Sequence, residues 1–261
     1  MGRLFKYEGY KIKRSKYWWI CLLVGIAMIG AQLIGTKMLQ EMASTMSQQG
    51  VEVSMRVSEY GFAQAAPSVL AANSILIAIV VSLFIGSDFA NGTIKNIASK
   101  GLGRGHIVTV KFIWANLLTV LGLVIISVFG LGLAYAILDH STVTAEVWRE
   151  IAKLFGLSVL QNLAYTSIFA FGSILLATGG AAIAFNIGLT VLVPPLVMLA
   201  QSLLVKSETF TLNNLFPYFL GDLSMIPGMT KEHWIYAAAM LVYALISFIA
   251  AVVIFKKRDI K

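Results

Sequence analysis

Ser87-Asp88-Phe89-Ala90-Asn91-Gly92-Thr93-Ile94-Lys95-Asn96-Ile97-Ala98-Ser99-Lys100-Gly101-Leu102-Gly103-Arg104 is a polar, basic island between two long apolar runs. What flanks it decides the fold. Of the 261 residues, 58% are hydrophobic and only 12% are charged, against about 25% charged in an average soluble domain. A globular core cannot use that much apolar surface, so the natural solvent of the flanking runs is lipid.

The run before the island, roughly 68–87, reads as span 2, and the run after it, roughly 107–138, as span 3. Each is long enough, since about 20 residues at 1.5 Å apiece cross a hydrocarbon core of about 30 Å. Lys111, near the start of span 3, is placed to snorkel its ammonium back to the interface. Further out, span 1 is roughly 17–36, followed by a polar stretch, 37–67, that ends at Pro67. Met38, Met42 and Met46 recur at i, i+4, i+8 and extend span 1 as a helix beyond the lipid; the stripe reads as packing. Residues 139–153 read as a short charged loop. From Leu154 to Val205 there is no Asp, Glu, Lys or Arg. That is too long for one span, and the breaker Thr178-Gly179-Gly180 divides it into span 4, about 154–177, and span 5, about 181–204. Pro194-Pro195 is predicted to kink or break span 5, because proline lacks a backbone donor and clashes with the preceding turn. Residues 205–234 carry a stripe of Leu212, Leu215, Phe216, Phe219, Leu220 and Leu223 punctuated by Pro217, which predicts a hydrophobic extracellular hairpin, re-entrant or interfacial. Span 6 is roughly 235–255.

Residues 1–16 mix Arg3, Lys6, Lys11, Lys13, Arg14 and Lys16 with Leu4, Phe5, Tyr7, Tyr10 and Ile12. They predict an interfacial helix in the headgroup layer, of weak amphipathy because the bases are spread around the wheel. Trp18 and Trp19 then fall at an aromatic belt. The first apolar run has a long basic lead and no clear cleavage pattern, so it reads as a retained span and not a signal peptide. Fourteen Lys and Arg lie on the side of the N-terminus, island and tail, and six on the other. The positive-inside rule makes that basic side cytoplasmic, with both termini, in a multi-pass plasma-membrane protein. The net charge of +8 is thereby assigned to membrane lipid and topology, with no nucleic-acid partner.

Catalytic chemistry is not in view. Cys21 is the lone cysteine, and His106, His140 and His233 sit on three separate connections. No paired intramembrane carboxylates, His-x-x-x-His or nucleophile elbow appears. Gly-Leu-Gly-Arg-Gly at 101–105 lacks the Gly-Lys-Ser/Thr ending of a phosphate loop. No catalytic residue, metal site or cofactor is therefore expected in the chain. No ionisable residue reads as lying well inside a span, which argues against ion coupling. Asn73, Asn116, Asn162, Thr166 and Asn186 are candidates to line a path, although interhelical hydrogen bonding is the plainer reading of each. Within the island, Gly92 allows a turn and Thr93 a helix N-cap. Ile94, Ile97 and Ala98 share a face suited to a partner surface, and Gly101 and Gly103 end the helix. An ordinary cytoplasmic loop accounts for the same residues.

The island's pattern is acidic-Phe-x-x-Gly-Thr-Ile-Lys-Asn followed by Ser-x-Gly-x-x-Arg. Asp88, Phe89, Gly92, Thr93, Ile94, Lys95, Asn96, Ser99, Gly101 and Arg104 carry it, and Lys111 begins the next span. It resembles the ABC-2 family of transporter permeases, which includes bacitracin-resistance and lantibiotic-immunity permeases; many members have Glu where this chain has Asp88. The layout of spans is similar too. The resemblance implies an all-α type V exporter fold in one transmembrane domain, 1–261. Residues 88–106 would be a cytoplasmic coupling segment, with those ten residues facing a separate ABC ATPase that carries ATP and Mg. A second permease subunit, identical or paralogous, would complete a dimer. Alternating access would export a hydrophobic or amphipathic substrate, such as a peptide antibiotic or lipid-like compound, and so confer antibiotic resistance. The sequence holds no Walker motif, in keeping with a separate ATPase. The alternative is a non-transporting scaffold or sensor that recruits a cytoplasmic protein through the island. Spans without charged rings argue against an ion-selective pore.

Overall fold

The computed structural model describes residues 2–48, 61–71, 73–99, 102–139, 143–204, 215–217 and 229–257. Among them the chain is all α: α1 (Gly2–Arg14), α2 (Lys16–Gln48), α3 (Phe62–Leu70), α4 (Ser74–Ala90), α5 (Thr93–Ser99), α6 (Arg104–Ile137), α7 (Ala145–Leu176), α8 (Gly179–Leu204) and α9 (Lys231–Lys257). Six stretches are long and apolar enough to cross a membrane: Lys16–Met42, Phe62–Ala90, Arg104–Ile137, Ala145–Leu176, Gly179–Leu203 and Lys231–Lys257. The expectation of six spans holds. Lipid offers the backbone no hydrogen-bond partner, so an apolar run of this length has to satisfy itself as a helix.

The central element is α7, which packs on α3, α4, α6, α8 and α9. Helices α1, α4, α5, α6, α7 and α9 share one core around Phe84, Ile94, Ile107, Phe112, Phe169 and Phe255. A second core, with Ile29, Phe62, Val69, Leu138 and Leu154, lies at the opposite end. The end with α1 also holds α5 and the start of α6. There the Arg104 guanidinium donates to the Lys256 carbonyl at 2.9 Å. At the other end the Phe62 amide donates to the Asp139 carbonyl at 2.9 Å, and the Phe62 ring meets those of Tyr135 and Trp148.

Several sequence expectations need correction. Span 2 starts at Phe62, with Pro67 inside α3, and it is a broken span: α3 ends at Leu70 and α4 begins at Ser74. The charged stretch expected as a loop at 139–153 is largely the first turns of α7, where Lys153 and Glu150 pair at i, i+3. The turn between α7 and α8 falls at Ala177-Thr178, with Ala177 left-handed at φ 54°, while Gly179 and Gly180, named as part of the breaker, already belong to α8. Helix α8 continues through Pro194 and Pro195, so the pair does not break span 5. Each proline removes only its own donor, and in lipid the backbone on either side has nothing better than the helix. Span 1 does continue beyond the lipid length as predicted, but Met38 and Met42 are exposed rather than packed. Trp18 is buried in the core and only Trp19 is outward, since successive helical residues point about 100° apart. Of the predicted hairpin at 205–234, all but 215–217 and 229–234 lies outside the described residues.

Close approach of α4 and α8 depends on Gly86. A Cβ there would sit 2.7 Å from the Gly179 Cα and 3.1 Å from its nitrogen, both backbone atoms that cannot swing away. Gly86→Ala is therefore expected to destabilise the detergent-solubilised protein by about 1–3 kcal/mol. Gly122→Ala, with nothing within 4 Å of the new Cβ, should be neutral or slightly stabilising. Thermal unfolding of the two variants beside the parent checks this.

Candidate functional site

Helix α1 turns Leu4, Glu8 and Ile12 inward, at i, i+4, i+8. The helix is two-sided, against expectation, even though a charged residue belongs to the buried face: Lys6, Lys13 and Arg14 stand on the exposed one. Glu8 is 0% exposed. Its Oε1 accepts from the Lys111 Nζ at 2.9 Å, and its Oε2 lies 4.0 Å from the Lys11 Nζ. Asp88, in the last turn of α4, pairs with both lysines, one through each carboxylate oxygen. The two ammoniums each stand 5.3 Å from the centre of the Phe84 ring, within the range of cation–π attraction. Two acids and two bases form a closed, neutral ring that joins α1, α4 and α6.

This arrangement overturns two expectations. Lys111 does not snorkel; it is 2% exposed and seven residues into α6, about 10 Å along the helix. Two ionisable residues, Asp88 and Lys111, therefore lie buried within span helices. Desolvating a charge is costly, and an opposite charge with good geometry is what makes burial tolerable. Glu8 supplies that charge from a different element.

The island follows directly. Gly92, at φ 66°, is the turn between α4 and α5, a left-handed conformation glycine adopts without penalty. Its carbonyl accepts from the amides of Lys95 at 3.0 Å and Asn96 at 3.3 Å. Gly92 thus occupies the cap position and the helix begins at Thr93, one place earlier than predicted. The apolar face of α5 is not turned to a partner. Ile94 and Ile97 are buried in the core with Phe84, Ile107 and Phe255. The Phe89 and Phe255 ring centres are 6.2 Å apart. What remains outward is polar: Lys95, Asn96 and Ser99 are exposed, and the Ser99 hydroxyl donates to the Asn96 carbonyl at 3.0 Å. Gly101 lies outside the described residues.

Both the ion cluster and the island fall inside a match to a known family. The sequence pattern of the family described as "ABC-2 family transporter protein" covers residues 4–193, well over half of the chain. The chain belongs to the ABC-2 family of transporter proteins. Members of this family are non-catalytic permease subunits without ATPase motifs, and they typically pair with a separate ATPase subunit. No curated protein matches the sequence.

In this ABC-2 protein the polar residues of the spans serve different ends. Thr119, Asn162 and Thr166 form one network: the two threonine hydroxyls are 2.8 Å apart, the Asn162 amide donates to the Thr119 carbonyl at 3.3 Å, and the Thr166 hydroxyl donates to the Asn162 Oδ1 at 3.4 Å. Asn73, in the break between α3 and α4, shares with Thr119 and Asn162 a cavity of about 50 Å³ that also touches Trp18 and Cys21. The space is enough for a water molecule. Irregular backbone inside a membrane is tolerated where it meets such a cavity. Asn186 is a connector: its amide donates to the Ser82 hydroxyl at 2.8 Å, the Phe169 carbonyl at 3.0 Å and the Ser173 hydroxyl at 3.2 Å, tying α8 to α4 and α7. Asn116 bonds back to the Phe112 carbonyl at 2.8 Å, and its Oδ1 has no partner among the described residues. It faces a separate groove between α6, α7 and α9. Buried Pro217 offers its carbonyl to the Gln161 amide and to the Tyr236 hydroxyl.

Sequence reasoning missed Glu8 and Lys11. A signal was there: a single acid in a strongly basic helix, three residues from a lysine.

Lys111→Met leaves two carboxylates facing one lysine and should destabilise by about 3–5 kcal/mol. Adding Glu8→Leu restores neutrality around Lys11 and Asp88, and the double variant should recover most of that loss. A thermal-unfolding cycle of the two single variants and the double one measures the coupling.

Proposed function

We propose that this chain is the membrane subunit of an ATP-driven exporter, with both termini and α5 on the cytoplasmic side and α1 in the headgroup layer. The cargo class is hydrophobic or amphipathic, a peptide antibiotic or a lipid-like compound, as in the bacitracin-resistance and lantibiotic-immunity permeases that the island resembles. Two permease subunits enclose the path. A separate ABC ATPase docks on residues 88–104 and drives alternating access.

The observation that carries this reading is the two-sidedness of α5. Its isoleucines are sunk in the core while Lys95, Asn96 and Ser99 are exposed at the surface. A push on that polar face is transmitted without slack, because Ile94 and Ile97 bear on the same core as α4, α6 and α9. Through Asp88 the same push reaches α1 and α6. Helices that shift as bodies need such a rigid input. Of the candidate path residues, Asn73 suits a lining role best, since it borders the break in span 2 and its cavity, whereas Asn162 reaches that cavity while bonded across to Thr119. Thr166 and Asn186 are occupied between helices.

Co-expression with the Walker-type ATPase of an adjacent reading frame tests the proposal. Lys95→Glu reverses the charge of the docking face without touching the core and should lower co-purification about tenfold, as expected of a like-charge contact. Gly92→Trp, which also strains the left-handed turn, should lower it further. Leu192→Ala, on the exposed apolar side of α8, should have no effect. A complex indifferent to both island variants would sink the coupling role and favour a scaffold.

A further inference from the structure

Between α1, α2 and α6 runs a groove of about 760 Å³. Its long wall is one face of α6, Trp114, Leu117, Leu121 and Ile125, at i, i+3, i+7 and i+11. Those residues span about 16 Å of helix, which is half of a hydrocarbon core of about 30 Å. The groove is therefore one leaflet deep. Its mouth is framed by Tyr10 and Lys13 of α1 and Trp19 of α2. Gly9 keeps α1 close: the Trp114 indole packs where a Cβ would stand, 2.8 Å away, and donates to the Phe5 carbonyl at 3.0 Å.

The charge at the mouth has one sign. Lys13 is the single charged residue of the lining, and it is exposed with no carboxylate partner among the described residues. Arg14 stacks over the Tyr10 ring at 4.8 Å. The only acid of α1 is Glu8, and the ion cluster withdraws it from the surface completely. The exposed charges of α1, Lys6, Lys13 and Arg14, are thus all basic.

We infer that this groove is a binding site for one anionic glycerophospholipid. An acyl chain lies along Leu117, Leu121 and Ile125, and the headgroup phosphate is held by Lys13 and Arg14. A zwitterionic lipid fits less well, because its ammonium meets two cations and no carboxylate. The site rests on the interfacial placement of α1 proposed above, and the burial of Glu8 is what gives it its selectivity.

The test uses the full chain in phosphatidylcholine vesicles. A small, equal fraction of lipid brominated in the upper acyl chain is carried on phosphatidylglycerol or on phosphatidylcholine, and tryptophan quenching is read. Brominated phosphatidylglycerol should quench at least about twofold more strongly, given the attraction of basic side chains for anionic lipid. Lys13→Glu with Arg14→Glu should equalise the two lipids, and so should filling the groove with Leu121→Phe and Ile125→Phe. Lys256→Gln with Lys257→Gln, bases at the same end but outside the groove, should keep the preference. Equal quenching of the parent protein, or a preference that survives Lys13→Glu with Arg14→Glu, overturns the site while leaving α1 at the membrane surface and the ATPase coupling untouched. Quenching by neither lipid overturns the site together with the interfacial placement of α1.

Discussion

A lysine that cannot reach water sets the terms for the α1 end of this protein. Lys111 is sealed in by Phe84 and by the helices around it, and its charge is balanced only because Glu8 and Asp88 come to it. Each partner lies on a different element, so satisfying one ammonium fixes three helices at once. Lys11 then completes the neutral ring from the edge of α1. Such a ring adds little net stability over a well-packed apolar substitute, but losing one member is costly. That asymmetry makes it a register device: a helix displaced from its place leaves a bare charge behind.

The island depends on the same ring. Asp88 is held, so α4 ends at a defined place, so the Gly92 turn sets α5 with Ile94 and Ile97 in the core and its polar face outward. In the proposed exporter, the surface presented to the ATPase is then one side of a rigid block and not a pliable loop. One of the described spans is also interrupted, away from that block. The break between α3 and α4, about 22 Å from Asp88 along the helix axis, is where the backbone ladder is interrupted beside a cavity. The proline pair in α8, which composition alone marks as a flex point, sits within a continuous helix.

Withdrawing Glu8 has an outward consequence as well. Burial of the one acid of α1 strips its exposed surface of negative charge, and in the proposed interfacial placement the basic residues beside the groove face the headgroups unopposed. The same interaction that docks α1 from within thus shapes what it attracts from without.

Six spans, their approximate limits and the family were legible in the sequence, because lipid forces any long apolar run into a helix and the island's residues are contiguous. The turn at Gly92 and the short helix after it were readable for the same reason, being local, although the cap fell to Gly92 and not to Thr93. Facing was not. Trp18 and Trp19 are equal in the sequence and opposite in the fold, and the isoleucines of α5 read as a docking face until the core is seen to take them. Glu8 carried no reading beyond a lone acid among bases, and Lys111 looked like a residue bound for the headgroups. Their pairing joins positions 103 apart in the chain. Periodicity and composition carry no information about which distant charge will arrive to neutralise a buried one; only the packing of α1 against α4 and α6 decides that.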